Sequence, residues 1–162
     1  KAAKAREAGQ CMGEALPELR DIMHKIKEAY VVHKSNVGVG STIFAVKPGD
    51  GSAREQAASC QKVLGGWANI ANEYATKRYR SNLINWGMLP FIIDKGELPF
   101  ENGDYIFIPE IQDAIKNKVS TIKAFVVNKD MKEFELKLDE LTDDERQIIL
   151  DGCLINYYRE NK

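Results

Sequence analysis

The 162-residue chain has few of the residues that build metal sites and disulfide frameworks. Its three cysteines, Cys11, Cys60 and Cys153, are widely spaced and form no C-x-x-C pair, and its two histidines, His24 and His33, do not stand one turn apart. Zinc and iron–sulfur sites need three or four clustered thiolates or imidazoles, so we expect no metal bound by this chain. An odd, scattered set of cysteines fits a reducing compartment, and we expect a cytoplasmic protein.

An excess of charge of one sign is also missing. The chain has 23 Lys and Arg residues against 24 Asp and Glu residues, a formal net charge of -1, so we do not expect a nucleic-acid partner. No apolar run approaches the roughly 20 residues that span a bilayer, and the charged N-terminus has no signal-peptide core, so no membrane partner is expected. Hydrophobic residues at 44% and charged residues at 29% are typical of one globular domain.

The first part of the chain predicts a helical arm. The chain starts at Lys1 without an initiator methionine, from which we expect a piece of a longer protein. Apolar residues at steps of three and four from Glu14 to His33 predict an amphipathic helix, whereas residues 1–13 are polar and interrupted by glycines. We therefore predict an N-terminal helical arm or linker over residues 1–36 and one further domain over residues 37–162.

Strands and helices intermix in the rest of the chain, which predicts an α/β fold with a mixed sheet. A final helix begins at Thr142, because Thr142-Asp143-Asp144-Glu145 has the pattern of a capping box, and it ends near Gly152. The other predicted elements are strands at 41–46, 67–72, 89–93, 104–108, 121–128 and 131–139, and helices at 53–64, 73–86 and 109–117.

One segment, residues 47–56, has the composition of an anion-binding site. Lys-Pro-Gly-Asp-Gly-Ser-Ala-Arg-Glu-Gln predicts a glycine-rich turn that leads into a helix. Amides at a helix N-terminus attract anions, and Arg54 can bind a carboxylate through paired hydrogen bonds. Such donors would also stabilise an alkoxide at Ser52, which is otherwise a poor base. The alternative is structural, because Ser52-x-x-Glu55 also matches a capping box in which Ser52 only caps the helix.

Four ordered blocks of the chain have a recognisable pattern. They are Gly51-Ser52-Ala53-Arg54-Glu55-Gln56-Ala57-Ala58, similar to G-S-S-R-E-H-A; Leu64-Gly65-Gly66-Trp67-Ala68-Asn69-Ile70, similar to L-G-G-x-A-x-I; Arg80-Ser81-Asn82-Leu83 with Gly87-Met88-Leu89-Pro90, similar to H-x-x-N-L-x-x-x-G-x-L-P; and Leu141–Gly152, the predicted final helix. In this order the blocks resemble the C-terminal swivel domain of aconitase-family hydro-lyases, which ends in a similar closing helix, and they point to its uncharacterised hydratase branch. The resemblance covers about residues 38–158 and implies a swivelling β/β/α domain whose mixed, barrel-like sheet is flanked by helices.

The resemblance implies roles for four residues of the first block. The family uses a [4Fe-4S] cluster to bind a hydroxy acid, which it dehydrates and rehydrates. Ser52 would be the catalytic base that removes a proton beside a substrate carboxylate, and Gly51, Ala53 and Arg54 would bind substrate, with Arg54 gripping a carboxylate. The cluster would be held by other domains of the full-length enzyme. We therefore expect those domains and a hydroxy di- or tricarboxylic acid as partners, and no activity from the isolated domain.

The same blocks depart from the family pattern at three positions. Ala53 replaces a second serine, Gln56 replaces a histidine, and the histidine before the Asn-Leu pair is Tyr79 or Arg80. These changes imply a substrate other than citrate, or an altered activity. The alternatives are a non-catalytic anion- or RNA-binding module that keeps the swivel fold, and a separate small subunit as in isopropylmalate isomerases. The basic run Lys77-Arg78-Tyr79-Arg80 could contact RNA, but we prefer a solvated helix face.

Overall fold

The computed structural model describes residues 16–33 and 36–160. The predicted polar segment at residues 1–13 lies outside the described residues. In chain order the elements are α1 (Glu18–Ala29), β1 (Ser41–Ala45), α2 (Arg54–Val63), β2 (Gly66–Ala71), α3 (Lys77–Asn85), β3 (Leu89–Ile92), β4 (Ile106–Phe107), α4 (Ile111–Lys116), β5 (Thr121–Val126), β6 (Lys132–Leu138), α5 (Asp143–Leu150) and α6 (Leu154–Glu160).

The six strands form one mixed sheet in the order β1-β2-β3-β6-β5-β4. The first three strands are parallel, with Phe44 beside Ile70 and Ile70 beside Phe91. β3 pairs with β6 and β4 pairs with β5, in both cases antiparallel. The predicted α/β fold with a mixed sheet is therefore confirmed, and every predicted strand is present with bounds within a few residues of those expected.

The larger of two compact units comprises residues 41–95, 110–122 and 136 onward. Within it, α2 packs against α3 and against β2, and α5 packs against α3 and α6. Two clusters of buried residues contribute to its core. Ala58, Tyr79, Leu83 and Met88 form the cluster beside α2, and Ile84, Ile115, Leu141, Ile148 and Ile149 form the cluster beside α5.

The smaller unit comprises the described residues up to Gly40 together with 96–109 and 123–135. The apolar stripe of α1 is buried here, because Ile22 and Ile26 pack with Val127. The Tyr30 ring lies 5.3 Å from that of Phe107. The backbone is extended at Tyr30, so α1 ends at Ala29, four residues before the predicted end near His33. The predicted domain boundary between residues 36 and 37 stays a prediction.

Helix starts show where local patterns succeed and fail. The capping box at Thr142 is confirmed: its hydroxyl accepts from the Glu145 amide at 3.2 Å, and the Glu145 carboxylate accepts from the Thr142 amide at 2.9 Å. α3 starts at Lys77 instead of Glu73, because Thr76 caps it by accepting from the Tyr79 amide. The short helix α6, Leu154–Glu160, was not predicted.

Candidate active site

The predicted site segment lies where the carboxyl ends of two parallel strands meet. The chain leaving β1 is joined to the chain leaving β2, because the Glu73 amide donates to the Val46 carbonyl at 3.2 Å and the Ala75 amide donates to the Pro48 carbonyl at 2.9 Å. Lys47 also pairs with Glu73 at 3.0 Å and lowers the pKa of that carboxyl. Ligands of open α/β sheets bind at this end of the strands.

Gly49 is held in place by close packing and by two hydrogen bonds to its carbonyl. Its φ of 95° is in the left-handed region, and a Cβ built on it would lie 2.5 Å from the Tyr79 Cβ. Its carbonyl accepts two hydrogen bonds, one from the Arg54 Nε at 3.0 Å and one from the Thr76 hydroxyl at 3.3 Å. These contacts close residues 49–54 into a short loop, which we call the Gly49–Arg54 loop.

The loop presents the predicted site residues together. Gly51, Ser52 and Ala53 are exposed, and Arg54 is half-buried at the first residue of α2. A Cβ at Gly51 would meet no described atom within 4 Å, so the packing of this unit does not demand glycine there. The predicted closeness of Gly51 to a substrate, and the roles of Ser52, Ala53 and Arg54, stay predictions.

The structural alternative for Ser52 is wrong. The N-cap residue of α2 is Ala53, not Ser52, and no side chain caps the helix. Glu55, the expected partner in the capping box, instead accepts a hydrogen bond from the Trp86 indole at 3.1 Å. The first helical bond of α2 runs from the Ala57 amide to the Ala53 carbonyl, so the amides of the first turn have no acceptor within the helix. Their dipoles favour an anion beside Ser52.

A layer of buried polar side chains around Tyr79 lies next to the Gly49–Arg54 loop. The Tyr79 hydroxyl accepts from Gln61 Nε2 of α2 and from Asn69 Nδ2 of β2, each at 3.0 Å, and Asn69 is only 2% exposed. Tyr74 donates to the Phe91 carbonyl at 3.0 Å, and burial raises the pKa of its phenol. Sequence reasoning missed this layer, since it treated Tyr79 only as a departure from a family histidine and as part of a basic run.

The basic run at residues 77–80 does not form an aromatic-interleaved surface. Tyr79 is only 2% exposed, so its ring is not available for a base to stack on. Arg80 turns its guanidinium inward and donates through Nη2 to the carbonyls of Asp139 and Glu140 at 3.3 and 3.0 Å. Lys77 and Arg78 alone remain exposed, in agreement with the preferred interpretation of a solvated helix face.

Metal ligands are not gathered in the described part of the chain. Over residues 16–33 and 36–160 no three His, Cys, Asp or Glu side chains are placed to hold a metal ion. Cys60 is exposed, Cys153 is half-buried, and Cys11 lies outside the described residues. The described residues therefore do not fit a [4Fe-4S] cluster, which needs a set of thiolates. None of the described helices is long and apolar enough to cross a membrane.

Comparisons with known proteins agree with the ordered blocks. A family model described as the aconitase C-terminal domain matches residues 18–96. Aconitate hydratase A of Rickettsia bellii is 31% identical over an alignment of 156 positions that covers 92% of this chain. The methanogen homoaconitase small subunit of Methanocaldococcus jannaschii is 35% identical over an alignment of 116 positions that covers 70% of this chain. The crystal structure of 3-isopropylmalate dehydratase from the same species aligns with a TM-score of 0.58 and 30% identity over 78% of this chain.

The extent of these matches differs between the relatives. This chain spans 17% of the length of the aconitate hydratase and 58% of the homoaconitase small subunit. It covers 68% of the 3-isopropylmalate dehydratase chain, which also shares its α/β architecture. The family resemblance of the sequence blocks is thereby confirmed. This chain belongs to the aconitase C-terminal domain family.

Proposed function

We propose that this chain supplies a serine base and a carboxylate-binding arginine to the active site of an aconitase-like hydro-lyase. One observation supports this most: the Arg54 Nε donates to the Gly49 carbonyl, so that the guanidinium and the exposed Ser52 belong to one closed loop at an uncapped helix N-terminus. Positive charge and unpaired amides at one place suit a substrate that carries carboxylates.

Arg54, Ser52 and the first-turn amides of α2 have distinct tasks in the proposed reaction. Because its Nε is used by the Gly49 carbonyl, Arg54 binds the substrate carboxylate through its two Nη groups. Ser52, as an alkoxide, takes the proton from the carbon beside a carboxylate. The electron pair of that C–H bond forms the C=C bond while the C–O bond of the neighbouring carbon breaks and the hydroxyl leaves as hydroxide. The proton taken by Ser52 and this hydroxide together make the water that is released, which regenerates the alkoxide, and hydration is the reverse. The first-turn amides of α2 lower the free energy needed to form the Ser52 alkoxide, since they place partial positive charge beside it.

The proposed substrate is a hydroxy di- or tricarboxylic acid. Support comes from the names of the relatives, which are an aconitate hydratase, a homoaconitase and a 3-isopropylmalate dehydratase. The proposal assigns the [4Fe-4S] cluster to partner domains or to a large subunit, because the described residues of this chain do not fit one. The scattered cysteines support a reducing compartment such as the cytoplasm.

The test uses the complete protein from its own reading frame, with its cluster reconstituted without oxygen. Formation of the unsaturated acid is followed with malate, citrate and isopropylmalate as probes. Ser52→Ala is expected to lower kcat by about 10²- to 10⁴-fold, the usual contribution of a general base. Ser59→Ala is the matched control, because the Ser59 hydroxyl lies in the same helix and only donates to the Gln56 carbonyl.

Two outcomes would count against the proposal. Full activity of the Ser52→Ala enzyme would remove the base assignment. Tight RNA binding by this chain with a steep dependence on salt would support the competing prediction of a non-catalytic module instead.

A further inference from the structure

We propose that Thr76 is a positioning residue of the active site described above, and this inference rests on the proposed function. Thr76 is not proposed to contact Ser52 or the substrate. It acts through the Gly49 carbonyl, which it shares with Arg54. The proposal is therefore that the N-cap of α3 sets the orientation of the carboxylate-binding guanidinium on α2.

The Thr76 hydroxyl has two partners, and their chemistry sets its direction. It accepts a hydrogen bond from the Tyr79 amide at 3.2 Å, as an N-cap does. A hydroxyl has one proton to donate, and the Gly49 carbonyl lies 3.3 Å away. Because the amide can only donate, the Thr76 proton is directed at Gly49. One side chain thus starts α3 and holds the Gly49–Arg54 loop.

The contacts around Gly49 hold its carbonyl in one position. Its oxygen has two lone pairs, and the donors from Arg54 and Thr76 occupy both. The α carbon cannot move inward, because the Tyr79 side chain already fills the space in which a Cβ would stand. The Ala75 amide holds the preceding carbonyl, that of Pro48, at 2.9 Å. Without the Thr76 hydroxyl, the Gly49 carbonyl would lose the donor that comes from the start of α3. The Arg54 Nε would then donate to an acceptor whose position is no longer fixed.

A second threonine provides the matched control. Thr142 caps α5 through the same kind of bond, since its hydroxyl accepts from the Glu145 amide at 3.2 Å. Thr76→Val and Thr142→Val each remove an N-cap hydroxyl and keep the β-branched shape, so both cost helix stability. Only Thr76→Val removes a donor to Gly49. Thr76→Ser keeps both hydrogen bonds and should restore the wild-type behaviour.

The first measurement is made on this chain by NMR, through proton exchange at the Arg54 Nε–H. In the wild-type chain this proton should exchange at least tenfold more slowly than that of the exposed Arg78. Thr76→Val should remove about tenfold of that protection, whereas Thr142→Val and Thr76→Ser should leave it within twofold. Equal exchange at Arg54 and Arg78 in the wild-type chain, or full protection in Thr76→Val, would overturn the proposal without any need for activity.

The second measurement is made on the complete enzyme with the probe acids named above. Thr76→Val should raise KM about tenfold and change kcat less than threefold, because misplacement of Arg54 weakens carboxylate binding. In an Arg54→Ala background the same change should have no further effect on KM, which a general loss of stability would not produce.

The two proposals fail in different ways. Wild-type kinetics in both Ser52→Ala and Arg54→Ala would remove the proposed function. A raised KM in Arg54→Ala together with an unchanged KM in Thr76→Val would leave the proposed function standing and remove only the role of Thr76.

Discussion

The guanidinium Nε of Arg54 donates to the carbonyl oxygen of Gly49 at 3.0 Å, across the loop that contains Ser52. This bond joins the first residue of α2 to the turn that precedes it, so the arginine cannot change rotamer without release of the loop. Arg54 therefore combines two functions in one side chain, the closure of its own loop and, in the proposed reaction, the binding of a carboxylate.

Arg54→Lys should lose both functions while it keeps the charge. A lysine ammonium cannot offer paired donors to a carboxylate and has no fixed Nε–H for the Gly49 carbonyl. We expect kcat/KM of the complete enzyme to fall about 10- to 100-fold, in line with a charge-assisted hydrogen bond of about 1.5–3 kcal/mol. The exposed Arg159, which pairs with Glu160 at 3.7 Å, is the control, and Arg159→Lys should stay within twofold. Equal effects of the two substitutions would contradict the assignment.

Gly49→Ala should destabilise the protein more than the same change at a glycine with free space. Gly49 and Gly103 have nearly equal φ values, 95° and 94°, so an added Cβ meets the same unfavourable φ at both positions. Only at Gly49 does that Cβ meet another group, the base of the Tyr79 side chain at 2.5 Å. We expect a loss of about 1 kcal/mol for Gly103→Ala from strain and about 2–4 kcal/mol for Gly49→Ala, where overlap is added.

Urea unfolding of the two glycine variants gives this difference directly. Similar midpoints for both would show that the Gly49–Arg54 loop moves away from Tyr79 at little cost, and the proposed fixed position of the Gly49 carbonyl would be wrong.

Tyr79→Phe should lower the free energy of unfolding by about 1–3 kcal/mol. The phenylalanine ring fills the same space, but the amides of Gln61 and Asn69 lose their common acceptor in a buried place. Tyr158→Phe is the matched change at a residue that is 58% exposed, and we expect an effect below about 0.5 kcal/mol. Chemical denaturation curves of both variants test the difference, and equal stability would show that the polar layer has no net effect.

Stability at acidic pH should depend on Asp104. Its carboxylate accepts from the Glu101 amide and from Asn128 Nδ2, both at 2.7 Å, and pairs with Lys129 at 3.0 Å, and these contacts hold the pKa of the carboxyl below its ordinary value. A lowered pKa in the folded protein means that the stabilisation is present above the unfolded pKa and is lost as the pH falls through the folded value.

The measurement compares wild type with Asp104→Asn in urea at pH 7 and over the range of about pH 5 to 3. Wild type should be the more stable at pH 7, and its advantage should shrink toward acidic pH. Glu73 and Asp143 also have lowered pKa values, but they are present in both proteins and do not affect the difference. Parallel pH curves for the two proteins would rule out the role of Asp104.

Local sequence patterns predicted most of the fold because they reflect local physics. The apolar stripe of α1 and the alternation of β6 identify elements by the faces that they bury, and the Thr142 capping box needs only residues within one turn. Helix α6 escaped prediction because it has seven residues, none of them buried, with Ile155 and Tyr158 exposed. An apolar stripe over so few residues is too short for its helical period to be recognised in the sequence.

The candidate site, like the fold, was predictable from the sequence only in part. Sequence alone was enough to identify the Gly49–Arg54 loop, the family and the residues to test, since a glycine-rich turn before a helix is encoded within a few neighbouring positions. It could not decide whether Ser52 caps α2, because Ser52-x-x-Glu55 fits both roles. That choice depends on Trp86, 31 residues beyond Glu55, which takes the carboxylate away from the helix start. Burial of Tyr79 and the two donors on the Gly49 carbonyl likewise come from segments far apart in the chain, and only packing brings them together.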